Sequence, residues 1–208
     1  MTKVKICGIT NLDDALLSVQ LGADALGFNF YEKSPRYITP QKALEILKEL
    51  PDSGTKVGVF VNMEEYRIGE FVDLLGLNAV QLHGDEDGKF VKDLKQETTA
   101  KVVKAFRVSQ NFVANDIADF EVDAVLLDAY SPNQYGGTGD SFDWHTAQAV
   151  KQFTSELYLA GGLTSENVAV AIGTVRPEWV DVASGVESET GKKDPRKLED
   201  FIRNARNA

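Results

Sequence analysis

Eight short apolar runs punctuate the chain, at residues 4–9, 25–30, 56–61, 79–83, 101–108, 124–128, 157–163 and 179–186. Each is rich in Val, Ile, Leu or Phe, the composition of a strand covered on both faces. Between the runs the period changes. Residues 13–21, 40–50, 64–75 and 86–95 repeat at helical spacing, and in the second of these Ala43, Leu44, Leu47 and Leu50 form one apolar stripe. Thr10, Thr39 and Thr164 stand where N-caps are wanted, with Glu166 and Asn167 in the turn after Thr164. Gly22 and Gly76 follow the first and third helical stretches, where a left-handed residue commonly ends a helix. The weakest helical period lies in residues 108–121, where Asn, Asp and Ser interrupt it.

Eight strand signals in 208 residues leave about 26 residues per unit, close to the minimum for a strand, a crossover helix and two loops. No Pro-, Gly- or Ser-rich linker divides the chain. The expected architecture is therefore an α/β protein with a single (β/α)8 barrel domain over residues 1–208. The competing arrangement is a doubly wound open sheet, which normally has fewer strands and a switch point.

Composition narrows the function classes. Hydrophobic residues make up 43% and charged residues 26%, ordinary for a globular chain, and the net charge is −10. That acidity argues against nucleic acid or an anionic membrane surface as a partner. No apolar run approaches the ~18 residues of a membrane span, and the opening MTKVKICGIT lacks the apolar core of a signal peptide. The single cysteine, Cys7, excludes an internal disulfide and a CxxC motif. The expectation is a cytoplasmic protein.

In a barrel of this kind the chemistry sits at the C-terminal strand ends. Those positions carry Cys7, Asn29, Asn62, His83, Arg107, Asp128, Gly161–Gly162 and Ser184–Gly185. Alone, Cys7 reads as a small buried hydrophobe. Asp128 closes the run AVLLD, where an unpaired carboxylate is costly. Strands one and six lie nearly opposite in a closed barrel, so Cys7 and Asp128 can face each other across a pocket, as paired proton removal and donation require. A second signal is glycine. GGTG (Gly136, Gly137, Thr138, Gly139), Gly161–Gly162 and Ser184–Gly185 follow strands six, seven and eight. Such loops let backbone N–H groups approach a phosphate, and the first has the composition of a loop that closes over a ligand. Arg36, in KSPR after strand two, has the fork that grips a carboxylate. His83 and Asp181 are further candidates for substrate contact, whereas His145 reads as surface. No residue set has metal-ligand spacing, and GxGxxG and Walker A patterns are absent. Lys5 and Asp181 share the inner face of neighbouring strands, and a buried ammonium needs a partner, so the two are expected to pair.

At these residues the sequence resembles phosphoribosylanthranilate isomerases. The resemblance rests on VKICGIT (4–10), GFNF with YEKSPRYI (27–38), VQLHGDE (80–86), LLDAY (126–130), GGTGDSFDW (136–144), LAGGLTSENV (159–168) and VDVASGVES with GKKD (180–194). It implies a cofactor-free Amadori rearrangement of a small phosphosugar in tryptophan biosynthesis. It also implies Cys7 as general base, Asp128 as general acid, Arg36 on the anthranilate carboxylate, and the three glycine loops around the phosphate. Asp128 would protonate the ring oxygen, and Cys7 would take the C2′ proton. Both roles call for shifted pKa values: burial would raise Asp128, while Lys5 or the substrate iminium would lower Cys7. Two rivals are a barrel isomerase acting on the related histidine-pathway intermediate and a non-catalytic sensor of a phosphorylated metabolite. The first uses an aspartate where this chain has Cys7; the second would have no use for the Cys7–Asp128 pair. Monomer and homodimer are both compatible with the sequence.

Overall fold

A computed structural model of the protein describes residues 1–51, 54–109, 111–129 and 144–208. Eight parallel strands form a closed barrel: β1 (Lys3–Cys7), β2 (Ala25–Asn29), β3 (Thr55–Phe60), β4 (Ala79–Leu82), β5 (Lys101–Val108), β6 (Ala124–Ala129), β7 (Leu157–Leu159) and β8 (Trp179–Val182). Each strand pairs with its chain neighbour, and β8 returns to β1 with Lys5 opposite Asp181. Seven helices appear among the described residues: α1 (Leu12–Gln20), α2 (Pro40–Glu49), α3 (Glu65–Leu75), α4 (Gly88–Glu97), α5 (Trp144–Val150), α6 (Val168–Val175) and α7 (Pro195–Arg206).

Alternation along the strands sorts side chains into two cores. Outward residues such as Ile6, Phe28, Leu82, Val125 and Leu159 meet the helices in one large buried cluster. Inward residues fill the barrel and include Ala25, Val57, Ala79, Leu126, Tyr158 and Trp179. Tyr158 and Trp179 stack with ring centroids 4.8 Å apart, and their bulk is accommodated because the facing strands contribute alanines. Towards the C-terminal strand ends, on the same inner face, polar side chains replace this plug: Lys5, Gln81, Asp128 and Asp181 are all buried.

The local signals in the sequence are realised with informative exceptions. Thr39 caps α2 by accepting from the Lys42 N–H, and Gly76 ends α3 in the left-handed region (φ 60°). Thr10 is not the cap of α1. Asn11 takes that place, and the Thr10 hydroxyl instead donates to the Gly191 carbonyl at 2.5 Å. No α-helix forms in the described part of 108–121, only a 3-10 turn at Ala114–Ile117. Asp, Asn and Ser compete for backbone hydrogen bonds there, as their interruption of the period implied. The apolar runs 157–163 and 179–186 outlast their strands. β7 ends before Gly161 and Gly162, both at positive φ, and β8 ends before a 3-10 turn at Ser184–Val186. Leu163 and Val186 are nevertheless buried from those loops, which is why the apolar signal continues past the sheet. A short antiparallel hairpin, β9 (Glu187–Glu189) and β10 (Lys192–Lys193), follows. It is too short to leave a period in the sequence.

Candidate active site

A cavity of about 250 Å³ opens at the C-terminal end of the barrel. Its lining includes Cys7, Arg36, His83, Asp128, Gly161, Gly162, Asp181, Ser184 and Gly185. Every described residue singled out in the sequence as a principal site candidate is therefore in one cavity. Gly137, Thr138 and Gly139, with the closing loop expected of them, lie outside the described residues. Asn29 also lines the cavity, and its side chain bridges Ser34 Oγ and the Tyr31 N–H, so it shapes the loop that carries Arg36. Asn62 and Arg107 do not line it; both bond Asp85 at the rim. His145 is exposed on α5.

Beneath the cavity mouth, Lys5 Nζ donates to both Asp181 oxygens at 2.9 Å. Lys5 also approaches Cys7. A Cβ at Gly27, on the adjoining strand, would meet Cys7 Sγ at 2.8 Å and Lys5 Nζ at 3.0 Å, so only glycine leaves room for the pair. Burial nevertheless pushes the Cys7 thiol above its usual range; the Lys5 charge opposes this, and Asp181 offsets Lys5. Of the two candidates for lowering Cys7, Lys5 acts in that direction, but desolvation outweighs it and Asp181 shares its charge.

Across the barrel, Asp128 Oδ1 accepts from the Ala129 N–H at 2.9 Å, and Oδ2 lies 3.3 Å from His83 Nε2. The Gln81 amide nitrogen is 3.0 Å from His83 Nδ1. An amide N–H can only donate, so Nδ1 accepts and the neutral ring carries its hydrogen on Nε2, facing Asp128. Gln81 Oε1 and His83 Nε2 are both buried without a satisfied hydrogen bond among the described residues, and both residues line the cavity. Buried polar atoms without partners are rare, and here they face the place where a ligand's hydroxyls would satisfy them. Gln81 escaped the sequence reading. Its signal is a lone amide in the apolar strand AVQL, two residues before His83 and so on the same face.

Gly161 and Gly162 hold φ of 80° and 63°, and a Cβ at Gly161 would lie 2.5 Å from the Ala129 nitrogen. The β7 loop is thereby pressed against the end of β6, beside Asp128. Next to it the Ser184–Gly185 turn completes a wall with backbone groups close to the cavity. Arg36 Nε and Nη2 donate to Glu187 Oε1 and Oε2 at 2.8 and 2.7 Å. Glu86, also unremarked in the sequence, braces the rim by accepting from the Asn62 and Gly84 N–H groups and from Lys104.

The whole arrangement is a thiol, a carboxyl, glycine loops and a buried guanidinium lining one cavity. A profile of the N-(5'phosphoribosyl)anthranilate (PRA) isomerase family matches residues 4–204. The N-(5'-phosphoribosyl)anthranilate isomerase of Citrifermentans bemidjiense is 50% identical over 206 residues, covering 99% of this chain and 98% of the relative. The crystal structure of phosphoribosyl anthranilate isomerase from Thermotoga maritima is 44% identical and superposes with a TM-score of 0.89 over 100% of both chains. A structure of the isomerase in complex with reduced 1-(o-carboxyphenylamino)-1-deoxyribulose 5-phosphate is 43% identical, with a TM-score of 0.85 over 100% of both chains.

Proposed function

The chain belongs to the phosphoribosylanthranilate isomerase family, and from that premise we propose that Cys7 and Asp128 perform the proton transfers of the reaction. The enzyme isomerises N-(5′-phosphoribosyl)anthranilate to 1-(2-carboxyphenylamino)-1-deoxyribulose 5-phosphate in tryptophan biosynthesis. The observation that carries the assignment is that Cys7 ends β1 and Asp128 lies near the end of β6, with both side chains on the same cavity.

Asp128 gives its proton to the ribose ring oxygen. The C1′–O bond breaks, and the anthranilate nitrogen lone pair forms the C1′=N iminium. The carboxylate left behind accepts from the Ala129 N–H, and His83 Nε2 lies 3.3 Å from its other oxygen, so its charge develops beside a donor already in place. The iminium acidifies C2′–H, and Cys7 removes that proton to give the enolamine, which tautomerises to the ketone. Cys7 is a poor base in the free enzyme because its burial disfavours the thiolate. The substrate cation supplies the missing positive charge, so the thiol releases its own proton to solvent as the ring opens, and the resulting thiolate takes the C2′ proton.

The ribose hydroxyls meet Gln81 Oε1, with His83 and Asp181 beside it. The phosphate lies against Gly161, Gly162, Ser184 and Gly185, with Gly137, Thr138 and Gly139 as the remaining part of that site. Arg36 receives the anthranilate carboxylate. The reading takes the chain as one barrel domain acting in the cytoplasm, as a monomer or a homodimer.

The test is the fall of anthranilate fluorescence with freshly generated substrate, comparing wild type with Cys7→Ser and subtracting spontaneous breakdown. Fast decay in wild type and near-background decay in the variant are expected. Equal rates in the two would remove Cys7 from the mechanism.

A further inference from the structure

Arg36 meets the cavity as one corner of a cluster of three charges. Its Nε–Nη2 edge is committed to Glu187, and Glu187 Oε1 also accepts from Lys193 Nζ at 3.0 Å. Glu187 and Lys193 come from the β9–β10 hairpin and stand behind Arg36, outside the cavity lining. We propose that Glu187 and Lys193 turn Arg36 into a selective site for a substrate carrying a carboxylate on its aromatic amine, with Lys193 supplying the charge that selects. This rests on Arg36 as the carboxylate's receptor and extends it.

The argument is one of charge. An arginine in a two-oxygen bond with glutamate is neutral as a pair, and a second carboxylate arriving at it gains little attraction. Lys193 alters that sum. Its Nζ lies 2.7 Å from the Cys7 carbonyl, 3.3 Å from the Ala183 carbonyl and 3.0 Å from Glu187. Three acceptors need three N–H hydrogens, which an ammonium has and a neutral amine lacks. Burial pulls the Lys193 ammonium below the ordinary lysine range and Glu187 opposes that, so with its three acceptors in place the triad carries one net positive charge in a buried setting. Two further charges adjoin it. The Asp14 carboxylate accepts from the Lys193 backbone N–H and from Asn11, and the Lys197 ammonium donates to the Glu187 carbonyl. These are of opposite sign and leave the balance as it was.

The cluster is held in place rather than merely gathered. The Thr10 hydroxyl bonds the Gly191 carbonyl, and the Lys193 N–H bonds Asp14, so the hairpin is fastened both to the β1–α1 loop and to the first turn of α1. Through the Cys7 carbonyl, Lys193 also ties the carboxylate site to the backbone of the base. Lys193 and Glu187 touch no substrate and are positioning residues.

The experiment compares kcat/KM for N-(5′-phosphoribosyl)anthranilate with that for N-(5′-phosphoribosyl)aniline, which lacks the carboxylate. Product is followed by chromatography. Lys193→Met is expected to reduce the preference for the carboxylated substrate by about tenfold or more, chiefly through KM, while changing the aniline substrate much less. Lys193→Gln, which is uncharged and one atom shorter but keeps two N–H donors for the two carbonyls, carries the same expectation and serves if the methionine variant does not fold. Glu187→Gln keeps an oxygen on Arg36 Nε and Lys193 but gives up the Arg36 Nη2 bond, where its amide N–H groups meet another donor; since it removes a negative charge, it should not lower the preference, and added to Lys193→Met it restores the net charge and should recover part of it. Equal losses on both substrates in the lysine variants, or no recovery in the double variant, would show a purely structural role and overturn the proposal. Arg36→Met is run beside them. If it abolishes the preference while the lysine variants leave it intact, the triad falls and Arg36 stands; if it leaves the preference intact, both fall.

Discussion

Lys5 and Asp181 stand 176 residues apart in sequence and 2.9 Å apart at the seam where β8 closes on β1. Lys5 is fully buried and Asp181 nearly so, and the pair lies beside Cys7. Their burial is tolerable because each ion takes the other as partner, with both carboxylate oxygens engaged.

Breaking this pair from one side leaves a lone buried charge. Lys5→Met is expected to cost roughly 3–5 kcal/mol in urea unfolding, whereas Lys5→Met with Asp181→Leu recovers most of that loss. A cost below about 1 kcal/mol for the single change would mean that water reaches Asp181 in the folded state.

Removing the base or the acid should leave binding largely intact and remove chemistry. Cys7→Ala and Asp128→Ala are each expected to lower kcat by at least ~10²-fold, with inhibition by a reduced product analogue little changed. Near-normal turnover in either variant would exclude that residue as a proton carrier.

The raised Cys7 thiol has consequences for pH. Below about pH 8.5 the thiol is protonated in the folded and the unfolded chain alike, and its contribution to stability is fully present. As pH climbs from there towards the raised folded value, the unfolded chain ionises first and that contribution is lost. Wild type should therefore lose stability above about pH 8.5 faster than Cys7→Ser does. Iodoacetamide at pH 8 should alkylate Cys7, the chain's one cysteine, more slowly than a free thiol, with denaturant abolishing the difference. Alkylation at the free-thiol rate in folded protein would contradict the burial argument.

Gln81 sets the His83 tautomer, and this can be reversed. A carboxylate in place of the amide would accept from Nδ1–H and move the neutral ring's hydrogen off Nε2, away from Asp128. Gln81→Glu is expected to lower kcat about tenfold or more, and Gln81→Leu to raise KM by loss of the hydroxyl contact. If both variants change KM alone, His83 does not assist Asp128.

The sequence by itself determined the eight apolar runs and the helical segments between them, and with them the barrel, because hydrophobic patterning is a local property of neighbouring residues. It also exposed Cys7, Asp128 and the glycine pairs, since a polar or glycine residue at the end of an apolar run is conspicuous without any contact being known. Strand alternation alone put Lys5 and Asp181 on a common face. What only the tertiary structure decided are balances among distant charges. Cys7 stays above its usual range because burial outweighs the Lys5 charge, which Asp181 shares. Arg36 is locked by Glu187, which lies 151 residues away, and Lys193 reaches the Cys7 carbonyl across 186. Gln81 reads as one polar residue in an apolar strand until the folded barrel aims its oxygen at the cavity. Coulomb and desolvation energies depend on through-space distance and burial, and neither exists until the barrel closes.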